Sequence, residues 1–135
     1  MRAEFRIDHI SISVRDLDAS ARFYGETLGL AEIENKTRNP AIRWFAFDAN
    51  RAIHLITSRE APPPDRPISS HICLSTPNFD ETLKVLAERG VNYMNLSREP
   101  GRYSFRADGV RQTYFQDPDK YWVEVCEANP DGTVG

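Results

Sequence analysis

A chain of 135 residues, 40% hydrophobic and 27% charged, carries enough apolar material for one compact core and too little for two ordinary domains. Its formal net charge of -3 offers no attraction to a phosphate backbone, so nucleic acid is not an expected partner. No stretch approaches the roughly 20 apolar residues of a membrane span, the first ten residues lack an apolar signal core, and Cys73 and Cys126 show no paired spacing. A cytoplasmic protein with free thiols is the expectation.

From Asp8 to Val14 the residues alternate, with Ile10, Ile12 and Val14 on one face and His9, Ser11 and Ser13 on the other, the pattern of a strand with one apolar side. Asp16 then caps a helix in which Leu17, Ala21, Tyr24 and Leu28 fall at helical spacing, with Gly29 at its exit. Strands are expected at Ile33 to Arg38, Ile42 to Asp48 and Arg51 to Ser58, the last two joined by a turn at Ala49 and Asn50. A proline-rich linker, 61–67, follows. After it, Ile68 to Thr76 alternates again. Asn78 with Glu81 resembles a capping box opening a helix through Phe79, Leu83, Leu86 and Ala87 to Gly90. Strands are expected at Tyr93 to Leu96, Val110 to Gln116 and Tyr121 to Cys126, with turns at Pro100-Gly101 and Asp117-Pro118-Asp119.

Both halves therefore read β-α-β-β-β, and they align at an offset of 62: His9-Ile10-Ser11-Ile12-Ser13 against His71-Ile72-Cys73-Leu74-Ser75, then Asp16-Leu17-Asp18 against Asn78-Phe79-Asp80. Near the end of each half Ile53-His54-Leu55 answers Val123-Glu124-Val125. This is an internal duplication, with module one at about 5–60 and module two at about 68–128 of a single domain. Repeats so short cannot bury a sheet face alone, so modules must pair within one chain or between chains.

All three histidines, His9, His54 and His71, occupy strand positions opposite to their Ile, Leu and Val neighbours, and Glu124 does the same. Three imidazoles and one carboxylate suit Zn, Mn, Fe, Ni or Co as the divalent ion and disfavour calcium. An octahedral ion would keep two positions open, as a catalytic metal needs.

The run from His9 to Leu30, with Phe23-Tyr24 and Leu28-Gly29-Leu30, resembles the glyoxalase I signature, and Asp117 to Val125 resembles the closing motif that turns into the strand of the last ligand. The similarity is to the vicinal oxygen chelate superfamily: glyoxalase I, methylmalonyl-CoA epimerase, fosfomycin-modifying thiol transferases, extradiol dioxygenases and bleomycin-binding proteins. It implies an α+β fold of two βαβββ modules forming an incomplete, cleft-enclosing barrel, a homodimer, and metal ligands at His9, His54, His71 and Glu124. Two positions depart from it. Glyoxalase I typically has Glu where this chain has His54, and the usual Gly after Asp-Pro-Asp is Lys120. A carboxylate can share in proton transfer, whereas a metal-bound imidazole has no basic lone pair to spare.

The reaction expected is a lyase or isomerase step on a small molecule: the metal chelates two adjacent oxygens and stabilises an enediolate, with Glu124 as the base. A ring-cleaving Fe(II) dioxygenase, a thiol transferase and a non-catalytic antibiotic-binding protein are the rivals on the same fold. Ser11, Cys73 and Trp122 are expected to line the substrate cleft. Arg102, with Arg98, Arg106 and Arg111, concentrates positive charge that could dock an anionic substrate tail. Trp44, Phe45 and Phe47 are assigned to the core or a subunit interface.

Overall fold

The computed structural model describes residues 2–60 and 65–135. Most of the expected linker, 61–64, lies outside the described residues. The chain divides into two compact units, Met1–Pro62 and Pro63–Gly135. No helix among the described residues is long and apolar enough to cross a membrane.

In the first unit, β1 (His9–Val14), α1 (Leu17–Arg22), β2 (Ala31–Ile33), β3 (Ile42–Ala46) and β4 (Ala52–Thr57) follow in chain order. They build a four-stranded sheet ordered β1-β4-β3-β2, with β1 parallel to β4 and the other pairs antiparallel. The second unit repeats this with β5 (His71–Thr76), α2 (Phe79–Glu88), β6 (Ser104–Phe105), β7 (Arg111–Gln116) and β8 (Trp122–Glu127), ordered β5-β8-β7-β6. The register repeats as well: Phe45 opposite Ile53 becomes Phe115 opposite Val123, and all four side chains are almost fully buried. The fold is thus α+β, two βαβββ modules with open sheets.

Asp16 caps α1 as expected, its Oδ1 accepting the Ala19 N–H at 3.0 Å. Beyond Arg22 the helix widens over Phe23–Thr27, where the Leu28 N–H donates to the Phe23 carbonyl, five residues back, at 2.9 Å. The duplication supplies a reason. The left-handed Gly29 stands thirteen positions after Asp16 but the left-handed Gly90 only twelve after Asn78, and a single wide turn absorbs one extra residue without breaking the helix.

Three local expectations give way to side chains that compete for backbone groups. The strand expected at Ile33 to Arg38 is confined to β2, because the Asn35 amide donates to the Asn39 and Ile42 carbonyls, both at 2.8 Å, while its oxygen accepts the Thr37 N–H at 2.9 Å and folds the segment into a turn. Tyr93 to Leu96 forms no regular strand. Met94 makes isolated bridges to Tyr114 and Pro100, and the Asn95 oxygen accepts the Glu99 N–H at 2.8 Å; the module's second strand is instead Ser104–Phe105. Asn78 forms no side-chain cap on α2; Thr76 accepts the Asn78 N–H at 3.2 Å instead.

Arg111 fastens α2 to β7. Its guanidinium donates to Asp80 at 2.7 Å and Glu127 at 2.8 Å and lies over the rings of Phe79 and Tyr103, at 4.7 and 5.3 Å. Glu127 is held below its ordinary pKa chiefly by this arginine. Arg111→Ala is expected to cost about 1 kcal/mol. Urea unfolding at low and high salt checks this: the gap between wild type and variant should narrow as salt rises.

Candidate functional site

Residues directly opposite one another on paired strands share a face. In the first unit Ser11 lies opposite His54, and His9 opposite Ala52; in the second Cys73 lies opposite Glu124, and His71 opposite Trp122. Each unit therefore projects two of the candidate ligands from one face of neighbouring strands. The third strand adds an aromatic residue at the repeated position: Trp44 opposite His54, Tyr114 opposite Glu124.

In the first unit the rings form a stack. His54 lies between Trp44, at 4.1 Å and 2°, and His9, at 3.8 Å and 11°. The His9 Nδ1 is 2.6 Å from Asp8 Oδ1; an ionised carboxylate only accepts, so Nδ1 carries the hydrogen and Nε2 the lone pair. His54 differs. Neither of its nitrogens has a hydrogen-bond partner among the described residues, and burial, followed by the neighbouring His9, holds its pKa below the usual histidine value.

In the second unit Glu124 is 5% exposed. Its Oε1 accepts from the Tyr114 hydroxyl at 2.5 Å and from Gln112 Nε2 at 2.7 Å, while Oε2 faces His71 Nε2 at 3.7 Å. His71 Nδ1 donates to the Ile68 carbonyl at 2.7 Å, which leaves the lone pair on Nε2. Burial and the bond to Glu124 raise the Tyr114 pKa, so the phenol remains a donor. Cys73 Sγ sits 3.3 Å from Cys126 Sγ, and burial, reinforced by Glu124, pushes the Cys73 thiol up, away from nucleophilic chemistry.

A divalent ion takes imidazole and carboxylate donors at roughly 2.0–2.2 Å, which places neighbouring donors on the order of 3.0–3.5 Å apart. The 3.7 Å gap between His71 and Glu124 closes to that range with a small side-chain adjustment. Both His71 and His9 present Nε2 with Nδ1 anchored on an acceptor, the arrangement that orients a ligating imidazole. His54 does not fit in the same way: lone pairs lie in the ring plane, so two parallel rings 3.8 Å apart cannot both aim at one ion. Among the described residues, no three or more His, Cys, Asp or Glu side chains are gathered as a cation cage.

The model of the Glyoxalase/Bleomycin resistance protein/Dioxygenase superfamily matches residues 6–125. The chain belongs to that superfamily. It is 28% identical over 132 residues to Glyoxylase I 4 of Arabidopsis thaliana, with 91% of this chain and 71% of that protein covered. Among solved structures it resembles a glyoxalase family protein from Bacillus anthracis, with a TM-score of 0.73 and 25% identity, covering 94% of this chain and 98% of that one. It also resembles the oxidase ChaP-H1, with a TM-score of 0.71 and 26% identity, covering 96% of this chain and all of that one.

Within this superfamily member, Ser11 and Cys73 project from the ligand face of their sheets, as does Trp122, whose indole N–H donates to the Arg66 carbonyl at 2.9 Å. Arg102 is exposed and pairs with Glu99 at 3.7 Å. Arg106 is committed to Asp108, and Arg111 to Asp80 and Glu127. Arg98 makes no ion pair among the described residues. Sequence reasoning missed Asp8, Trp44, Gln112 and Tyr114. The repeated register was the available signal for the aromatic pair, since the strand before each Ile-His-Leu or Val-Glu-Val triplet carries an aromatic residue at the same place.

Proposed function

We propose that the protein is a metal-dependent lyase or isomerase of the glyoxalase type, acting on a small molecule with two adjacent oxygens. His9, His71 and Glu124 hold the cation, and His54 moves the proton. The cation, when bound, supplies a Lewis acid for the two substrate oxygens. The observation that carries the assignment is the His54 ring: stacked between Trp44 and His9, parallel to the latter, with neither nitrogen bonded among the described residues. An imidazole outside the ligand set keeps its lone pair, and so can serve where relatives use a carboxylate. Glu124, the base expected from sequence, is tied at Oε1 by two donors, which suits a fixed ligand better than a group that swings.

His54→Gln is expected to retain the metal content of the wild type and to lose about 10²-fold in turnover of a hemithioacetal after reconstitution with each divalent ion. Metal analysis beside the kinetics decides the point: loss of metal would return His54 to the ligands, and full turnover would remove it from the reaction. A second reading is an oxygenase, favoured by the likeness to the oxidase ChaP-H1 and by the two-histidine, one-carboxylate set that remains once His54 is set aside. Oxygen uptake on a catechol with Fe²⁺, in the absence of hemithioacetal turnover, selects it. A protein that takes up no divalent ion yet binds an aromatic drug is a binding module, and both enzymatic readings fall.

A further inference from the structure

Further along the ligand face of the second unit lies a cleft of about 540 Å³. Arg66, Arg98 and Lys120 line it, together with Gln116 and Trp122, against one carboxylate, Asp65. None of the three cations makes an ion pair among the described residues. Aromatic rings and a carbonyl hold the arginines instead. The Arg66 guanidinium lies 3.6 Å over the Tyr121 ring and donates to the Asp119 carbonyl at 3.0 Å, and its Nη2 is buried with no hydrogen-bond partner among the described residues. Arg98 lies 5.3 Å over the ring of Trp122.

The backbone adds an independent observation. Arg98 and Lys120 adopt φ of 64° and 63°, a left-handed conformation that favours glycine. Lys120 stands where the closing motif of the superfamily usually has Gly. The turn that carries it is fixed by Asp117, whose Oδ1 accepts the N–H groups of Asp119 and Tyr121, both at 2.9 Å. A lysine is thus kept where the backbone would be more comfortable without a side chain, and it adds a third positive charge to a concave site. Like charges so gathered repel one another until an anion enters.

We propose that this cleft is an anion site that docks a carboxylate or phosphate group of the substrate. Trp122, on its wall, precedes Glu124 by two residues on β8 and shares its face, a spacing of roughly 7 Å along the strand. The substrate class that follows is a small molecule whose anionic group lies about that far from its two reacting oxygens. As a statement about the substrate this rests on the proposed function; as a binding site it does not.

The test uses the metal-free protein, titrated with inorganic phosphate and with succinate while the Trp122 indole N–H is followed by ¹H–¹⁵N NMR. A saturable shift is expected with at least one anion, and the tighter of the two identifies the tetrahedral or the planar group as the natural one. Lys120→Gly, which suits the left-handed backbone, should weaken that binding at least tenfold without lowering the melting temperature. Glu124→Gln should leave it unchanged. No saturable shift with either anion, or a Lys120→Gly protein that binds as tightly as wild type, overturns the site. If the protein takes up no metal but binds the anion as described, the cleft stands and the enzymatic reading fails on its own.

Discussion

Glu124→Gln should abolish turnover and lower divalent-ion affinity on the order of 10³-fold, beyond the roughly 10–100-fold that follows loss of a group merely supporting a ligand. The isostere separates ligation from folding. Its amide oxygen can still accept from Tyr114 and Gln112, and its NH₂ can donate to the lone pair on His71 Nε2, 3.7 Å from the present Oε2. No buried donor is orphaned, so the metal-free variant should melt within a few degrees of the metal-free wild type. Glu124→Ala should behave differently. It leaves the Tyr114 hydroxyl, on a residue 3% exposed, and the Gln112 amide without an acceptor, at about 1–3 kcal/mol for each unsatisfied group. Thermal melts with and without added metal read both effects. A ligand at 100 times its dissociation constant stabilises the native state by about 2.7 kcal/mol; wild type should show such a gain and Glu124→Gln should not. An equal gain in the two proteins would exclude Glu124 from the metal site.

The strands bearing the candidate ligands were legible because two signals coincide there. Alternation assigned His9 and His71 to the face opposite Ile10 and Ile72, and the duplication tied each to a second strand, at His54 and Glu124. What escaped was chemistry carried by single side chains or by chain closure. Asn35 and Asn95 look like neutral strand or loop residues until their amides are seen to capture backbone groups that a strand would use. Trp44 sits among apolar neighbours and reads as core, yet its ring lies flat on His54; an apolar face and a stacking platform have the same sequence pattern. Of the four arginines around Pro100-Gly101, three are spent on carboxylates, and Arg98 joins instead with Arg66 and Lys120. Arg66 and Lys120 are 54 positions apart, and no local pattern announces that they meet.

Phe115→Ala should be the most damaging single replacement in the second unit, at about 3–5 kcal/mol for a buried phenylalanine. Against a typical domain stability of roughly 5–15 kcal/mol this is a large share. Phe115 is 1% exposed on β7, opposite Val123, which is wholly buried on β8. Strand alternation makes the loss more than a cavity, because the residues on either side of Phe115 point to the ligand face: Tyr114, which bonds Glu124, and Gln116, which lines the cationic cleft. The ring on one side of β7 thereby holds in register the groups on the other. Phe115→Leu should cost far less and preserve metal and anion binding, since it refills most of the volume. Urea denaturation with an unchanged m-value would show that the loss is in native packing. A Phe115→Ala protein that still folds and keeps both binding functions would mean that β7 is positioned by contacts other than this ring.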